Sequence, residues 1–217
     1  MERHFIFDKY NTWADWDLIV TAKDITPPEP KTYYVELDGM SGSLDLSESL
    51  SNEICYEDRE LKASFWTDAG NFKQRIQLLK KITSAIHGRK VKIIEPDDST
   101  HYLFGRPVIK KQNNILPYLE FEIEAKCEPW RYRIEETNRE IELTKTSVPI
   151  IITNDGDKTV CPLITVYDDA NLVMNNATVS LSAGQYKISD IKLFSGANEI
   201  RVSGSGKLIF TYREADL

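Results

Sequence analysis

Three glutamates at alternate positions are the residues best placed for acid–base chemistry, because carboxylate pairs perform glycoside hydrolysis. They are Glu120, Glu122 and Glu124, and the residues between and around them are apolar, namely Leu119, Phe121, Ile123 and Ala125. Strict alternation predicts a half-buried strand whose glutamates form the solvated face. We therefore interpret the three carboxylates as structural and expect no catalytic residue among them.

A second candidate is the phosphate-loop-like run Gly204-Ser205-Gly206-Lys207. A phosphate-binding loop needs a glycine where Arg201 stands, and a Ser or Thr for magnesium where Leu208 stands. The run also lies between two apolar segments and no helix follows it to supply backbone amides. The sequence therefore predicts a hairpin turn between strands Glu199–Val202 and Leu208–Tyr212.

Metal-ligand patterns are weak throughout the chain. The three histidines, His4, His87 and His101, stand apart, and the acidic pairs Asp97-Asp98 and Asp155-Gly156-Asp157 are typical of turns. His87 is expected to interact with the carbonyls and dipole at a helix C-terminus. The three cysteines, Cys55, Cys127 and Cys161, form no C-x-x-C pair and are interpreted as buried thiols of a reducing cytoplasm. We expect no catalytic, cofactor-binding or metal-ligating residues and no cofactor.

Composition narrows the function classes. The chain has 217 residues, 41% of them hydrophobic, which is enough for two small cores. Its net charge of -7 argues against a nucleic-acid-binding surface, since phosphate binding needs clustered Lys and Arg. No apolar run approaches the roughly 20 residues that cross a bilayer, so no membrane association is expected.

The elements that must position these residues are mainly β. The predicted strands of the first half are Trp16–Ala22, Thr32–Leu37, Ser43–Leu50, Glu60–Trp66, Lys90–Ile94, Tyr102–Lys110 and Ile115–Lys126. Helical spacing of apolar residues predicts one amphipathic helix, with Asn71 as its cap and Gly88 at its end; the apolar residues are Phe72, Ile76, Leu79, Ile82 and Ile86. Its exposed face is expected to carry Lys73, Arg75, Lys80 and Lys81, solvated or facing another subunit.

Cys127-Glu128-Pro129-Trp130 ends the alternating strand, and Trp130 is expected to be buried at the edge of a first domain. We divide the chain into residues 1–140 and 141–217, joined by continuous strand, because Arg131–Ser147 contains no Gly or Pro. The second part predicts a small β-sandwich with turns at 154–157, 168–169, 175–176, 183–184 and 203–206. The predicted fold class is therefore an N-terminal β-sandwich or barrel-like domain with one helix, followed by a small β-sandwich.

The order of several short segments resembles the siphophage distal tail protein family along nearly the whole chain. The first domain contributes Gly42–Ser47, Tyr56–Leu61, His87–Arg89, Asp97–Arg106 and Cys127–Trp130. The galectin-like C-terminal domain of that family is resembled by Asn154–Gly156, Cys161-Pro162, Gly196–Ile200, Ser203–Gly206 and Tyr212–Leu217.

This resemblance implies a structural protein of a phage or prophage tail rather than an enzyme. Members form a hexameric ring that joins the tail tube protein to the tail-associated lysin or tip protein and to receptor-binding proteins. It implies a location at the virion tail tip, assembly in the bacterial host cytoplasm, and DNA passing through the ring without specific binding.

A carbohydrate-binding module that adheres to the host surface is the alternative interpretation. It is suggested by the sandwich and by three aromatic candidates, Trp13, Trp66 and Tyr186. Phe210 and Tyr212 lie on the same strand face as Leu208, a core pattern, so few aromatics are left to stack on a sugar. We expect the second domain to bind no polysaccharide.

Overall fold

The computed structural model describes residues 3–49, 52–115, 117–174 and 177–217. The chain divides into two compact units, Met1–Arg131 and Tyr132–Leu217, which places the boundary earlier than the division after Glu140 expected from the sequence. The reason is pairing: the strand Thr137–Glu142 bonds along its length to Lys207–Tyr212 of the second unit. The mainly β class predicted from the sequence is confirmed.

Unit 1 contains nine strands and one helix within its described residues. They are β1 (Ile6–Phe7), β2 (Tyr10–Asn11), β3 (Ile19–Ile25), β4 (Tyr34–Glu36), β5 (Ser43–Asp45), β6 (Arg59–Thr67), α1 (Phe72–Ile86), β7 (Val91–Glu95), β8 (Asp98–Ile115) and β9 (Tyr118–Cys127). Seven strands follow one hydrogen-bonded path, β2-β1-β7-β8-β9-β6-β3, while β4 and β5 pair only with each other in the described chain. In the part of the chain expected to form a sandwich or barrel-like domain, these seven strands of unit 1 form one continuous sheet, and β4 and β5 form a separate hairpin.

Alternation builds the core of unit 1. In β6 and β9 every second side chain is buried, and the helix adds Ile82 and Ile86 to the same cluster. Pro107 lies inside β8, where a missing N–H normally breaks a ladder. It is tolerated because β7 begins opposite Gly105, so β8 has no β7 partner at Pro107. The carbonyl of Pro107 instead accepts a hydrogen bond from Gly88 N–H at 2.8 Å.

The helix begins and ends as the sequence predicts. The Asn71 side chain accepts from Gln74 N–H at 3.1 Å and the Gln74 side chain accepts from Asn71 N–H at 2.7 Å, a capping box. Gly88 follows the helix with φ +71°, the left-handed conformation that glycine tolerates. The expected exposure of Arg75 is wrong: it is 2% exposed, and its guanidinium donates to Gly70 O at 2.8 Å.

Two short strands, β10 (Arg131–Arg133) and β11 (Thr137–Glu142), connect the halves of the chain, so the expected continuous strand is interrupted at 134–136. Unit 2 continues with β12 (Val148–Asn154), β13 (Leu163–Val166), β14 (Ala170–Met174), β15 (Ala177–Leu181), β16 (Gly184–Lys187), β17 (Gly196–Gly204), β18 (Lys207–Tyr212) and β19 (Ala215–Asp216). The turn expected at Asn175-Asn176 lies outside the described residues.

Unit 2 contains two four-stranded sheets, ordered β11-β18-β13-β16 and β12-β17-β14-β15. Their buried side chains form one core, as the predicted small sandwich requires, and Leu208, Phe210 and Tyr212 belong to it. The run Gly204–Lys207 is a turn, but the expected hairpin is wrong, because β17 and β18 lie in different sheets. Gly204 has φ +149°, and a Cβ there would stand 2.0 Å from Asp169 O.

Candidate interaction surfaces

The alternating glutamates of β9 lie among lysines on the open face of the sheet. Lys111 Nζ is 2.7 Å from Glu122, and Lys110 Nζ is 3.9 Å from Glu124. The hydrogen bond to Glu122 raises the pKa of Lys111. These carboxylates neutralise neighbouring cations on a solvated face, where such pairs contribute little stability.

The other acidic and histidine candidates also have local partners. Asp98 accepts from Thr100 and from the ring of His101 at 2.9 Å, and Asp157 accepts from Leu217 N–H at 3.1 Å. His87 differs from expectation: its Nδ1 accepts a hydrogen bond from Ile109 N–H at 3.2 Å instead of donating to helix carbonyls. In the described ranges no group of three or more His, Cys, Asp or Glu is arranged to hold a metal ion.

A buried carboxylate ties the end of β7 to β3. Glu95 is buried and pairs with Lys23 and with Arg131, whose Nη1 lies at 3.2 Å. Lys23 also contacts Asp97 at 2.8 Å. Burial by itself would lower the pKa of Lys23, but the hydrogen bonds to Asp97 and Glu95 raise it, while the bond from Lys23 lowers the pKa of Asp97. The buried carboxylate of Glu95 is therefore compensated by two cations, as a charge removed from water requires.

The strand end at Cys127–Trp130 is held by a buried arginine. Arg59 is almost fully buried and donates to Pro129 O at 2.9 and 3.2 Å. Burial raises the pKa of the Cys127 thiol to about 12, although nearby Arg59 opposes this. Trp130 is only half-buried and meets Tyr56 edge-on at 5.6 Å between ring centroids, so its expected burial is wrong. Cys55 is also exposed, contrary to expectation.

Residues 32–47 form an exposed surface that we call the hairpin arm. It contains β4 and β5, paired through Tyr34↔Asp45, Val35↔Leu44 and Glu36↔Ser43. Five large apolar side chains are exposed, with Tyr33 at 63% and Tyr34 at 57%; the others are Leu37, Met40 and Leu44. The sequence predicted the two strands, but it gave no sign that both faces of the pair would be exposed.

The hairpin arm is acidic. It has three carboxylates, Glu36, Asp38 and Asp45, and no Lys or Arg. Hydrogen bonds from the Ser47 hydroxyl and backbone N–H lower the pKa of Asp45. Among the described residues none of the three carboxylates forms an ion pair.

A second exposed apolar surface lies along α1, and we call it the helix groove. Its volume is about 610 Å³, and it is lined by Phe72, Ile76, Leu79, Lys80, Thr83, Ser84 and Gln112. The expected apolar stripe therefore splits: Ile82 and Ile86 enter the core, whereas Phe72 is 46% exposed. The helix contains no Asp or Glu, and it also exposes Lys73 and Lys81. Within the described structure, Lys73, Lys80 and Lys81 form no ion pair.

The aromatic candidates for sugar stacking are only half-exposed. Trp13, Trp66 and Tyr186 are each half-buried, and Tyr186 packs against the core of unit 2. The most exposed aromatic of unit 2 is instead Tyr167, at 58%, with Lys207 Nζ 5.6 Å from its ring centroid. Phe194 is also exposed. Within unit 2 these are the two exposed aromatic side chains.

The described residues contain no helix long and apolar enough to span a bilayer.

No protein-family model and no curated protein matches the sequence. The solved structures include a similar one, the crystal structure of the SPP1 Dit (gp 19.1) protein, described as a paradigm of the hub adsorption apparatus in phages infecting Gram-positive bacteria. It has 13% sequence identity and a TM-score of 0.73, covering 98% of this chain and 99% of that one. The chain therefore has the fold of the SPP1 Dit protein, which agrees with the resemblance of its sequence to the distal tail protein family.

Proposed function

We propose that this chain is a structural component of a phage or prophage tail, a distal tail protein that forms a ring. The observation that carries the proposal is the match to the SPP1 Dit fold over both units, since 98% of the chain is covered. A match of one unit would be weaker support, because single β-sandwiches serve many unrelated functions. The proposed role is structural, without catalysis or a cofactor.

The ring joins the tail tube protein to the tip, lysin and receptor-binding proteins at the virion tail tip, after assembly in the host cytoplasm. A closed ring needs two different complementary surfaces on each subunit. The hairpin arm and the helix groove are two such surfaces. The net charge of -7 is compatible with DNA passing through the ring, because an acidic protein offers few sites that bind phosphates.

The native mass of the purified full-length protein tests the proposal. We expect a discrete assembly of six chains by native mass spectrometry and a ring in negative-stain micrographs. A protein that remains monomeric at every concentration reached would contradict the ring. Pull-down with a tail tube protein of the same phage tests the connection separately.

Carbohydrate binding is the second candidate, and the exposed rings of Tyr167 and Phe194 favour it. Exposed aromatic rings can stack on pyranose faces, and the neighbouring Lys207 could donate to a hydroxyl. The test is calorimetric titration of the full chain with host cell-wall polysaccharide. Saturable binding that is lost in Tyr167→Ala, but retained in Tyr186→Ala, would support this function; no heat of binding would eliminate it.

A further inference from the structure

Two surfaces of unit 1 expose apolar side chains that their own unit leaves uncovered. An isolated two-stranded hairpin is at best marginally stable in water, and the hairpin arm exposes Tyr33, Tyr34 and Leu37 in addition. The helix groove exposes Phe72 beside half-buried Ile76 and Leu79. Contiguous apolar surface of this kind marks protein contact sites.

The charges of the two surfaces are opposite. In the part of the chain that the structure describes, Glu36, Asp38 and Asp45 of the hairpin arm form no ion pair, and neither do the exposed Lys73 and Lys80 of α1. The ion pairs on the sheet face, such as Lys111 with Glu122, show what occurs where opposite charges meet inside one chain. Complementary potentials of this type steer and orient association.

We infer that the hairpin arm of one protomer docks in the helix groove of a second copy of this chain. The occupant is a second copy because one chain carries both halves of the contact, and a contact between two different patches is the heterologous type that closes rings. The tyrosines and Leu37 cover Phe72, Ile76 and Leu79, while the arm carboxylates meet the lysines at the rim. This inference rests on the proposed ring and identifies the surfaces that build it.

Charge reversal in the full-length protein tests the contact. The arm variant carries Glu36→Lys and Asp38→Lys, and the groove variant carries Lys73→Glu and Lys80→Glu. All four positions are exposed, so each variant should retain the wild-type circular dichroism and melting profile. We expect each variant alone to shift assembly to at least about tenfold higher concentration. An equimolar mixture of the two variants should recover a ring in which the two alternate, because each arm then meets a groove of opposite charge. A chain carrying all four changes should recover assembly for the same reason.

The apolar part of the contact is tested by Phe72→Glu, with Ile151→Glu as the matched control, since Ile151 is exposed on β12 of unit 2. Loss of the oligomer in Phe72→Glu but not in Ile151→Glu supports the inference. Arm and groove variants that assemble like wild type would overturn it while leaving the ring intact. Failure of the four-change chain to assemble would also overturn the inference. If the arm instead binds another tail protein, none of these variants should change the assembly of the chain with itself. A wild-type monomer would overturn the proposed function and this inference together.

Discussion

The two hairpins β4–β5 and β8–β9 belong to the same unit and both consist of adjacent antiparallel strands, yet they lie in opposite environments. In β8–β9 the side chains alternate between a core and a solvated face of paired charges. In β4–β5 the side chains of both faces are mostly exposed, and among the described residues the carboxylates form no ion pair. The first hairpin stabilises its own unit, whereas the second contributes little to the stability of its chain.

This difference separates folding from assembly. A strand whose apolar face is covered contributes through burial, at about 25 cal/mol per Å² of apolar area. A hairpin that keeps its apolar side chains in water gains that energy only when a partner covers them. The contrast predicts that substitutions in β8–β9 change the free energy of unfolding and that substitutions in the hairpin arm change association.

The largest difference between the two regions is expected in the rate at which their cysteine thiols react. Cys127 ends β9, is buried, and has a pKa of about 12, whereas Cys55 lies exposed beyond the hairpin arm. At pH 8 we expect maleimide to label Cys55 at least about a hundredfold faster than Cys127, because only the accessible thiolate reacts. Peptide mass mapping of timed samples measures both rates. Equal rates would show that β9 opens as readily as the arm region.

The same thiol gives a dependence of stability on pH. The pKa of Cys127 rises from 9.0 to about 12 on folding, so between those values the folded chain holds a proton that the unfolded chain has lost. Stability is therefore complete below about pH 9 and falls as pH rises toward 12. Cys127→Ala should flatten this part of the profile of urea midpoint against pH, and an unchanged slope would contradict the assignment.

Truncation of the β9 core should cost the most folding stability. Phe121 is fully buried and stacks on Phe65 at 5.7 Å between centroids. Phe121→Ala is expected to lower the free energy of unfolding by about 3 to 5 kcal/mol, measured by urea denaturation. Tyr34→Ala in the hairpin arm is the control, with an expected change within about 0.5 kcal/mol. Similar losses in both variants would mean that the arm is part of the cooperative core.

A smaller effect is expected at the close approach of β8 to β9. A Cβ on Gly105 would lie 2.4 Å from Cys127 Sγ and 2.9 Å from Lys126 O. Gly105→Ala should therefore cost about 1 to 3 kcal/mol by overpacking. The double variant with Cys127→Ala lacks the clash with sulfur. Its loss of unfolding free energy should therefore be smaller than the sum of the losses in the two single variants. Strict additivity in the denaturation midpoints would place the strain elsewhere.

The smallest effect is expected at Trp130, where β9 ends. Its ring is half-buried and contacts Tyr56 edge-on, so truncation removes less apolar contact than a core position does. Trp130→Ala should cost about 1 to 2 kcal/mol of unfolding free energy. A loss as large as that of Phe121→Ala would indicate that Trp130 packs more deeply than its exposure shows.

Local patterns in the sequence determined most elements correctly. Alternation located β6, β7 and β9, and the cap and glycine signals located both ends of α1, because these patterns reflect interactions between residues close in the chain. The turn at Gly204–Lys207 was predicted for the same reason. The resemblance in the order of short segments led to the fold that the SPP1 Dit structure shares.

Tertiary structure decided which partner each element has and which faces are covered. Pairing across the chain moved the unit boundary to Arg131 and placed β17 and β18 in different sheets. Packing also buried Arg75 and exposed Phe72, the reverse of what helical spacing indicates. Periodicity reports that a helix or strand has two faces, but the neighbours that cover a face come from distant parts of the chain. For this reason the hairpin arm and the helix groove became visible only in the folded structure.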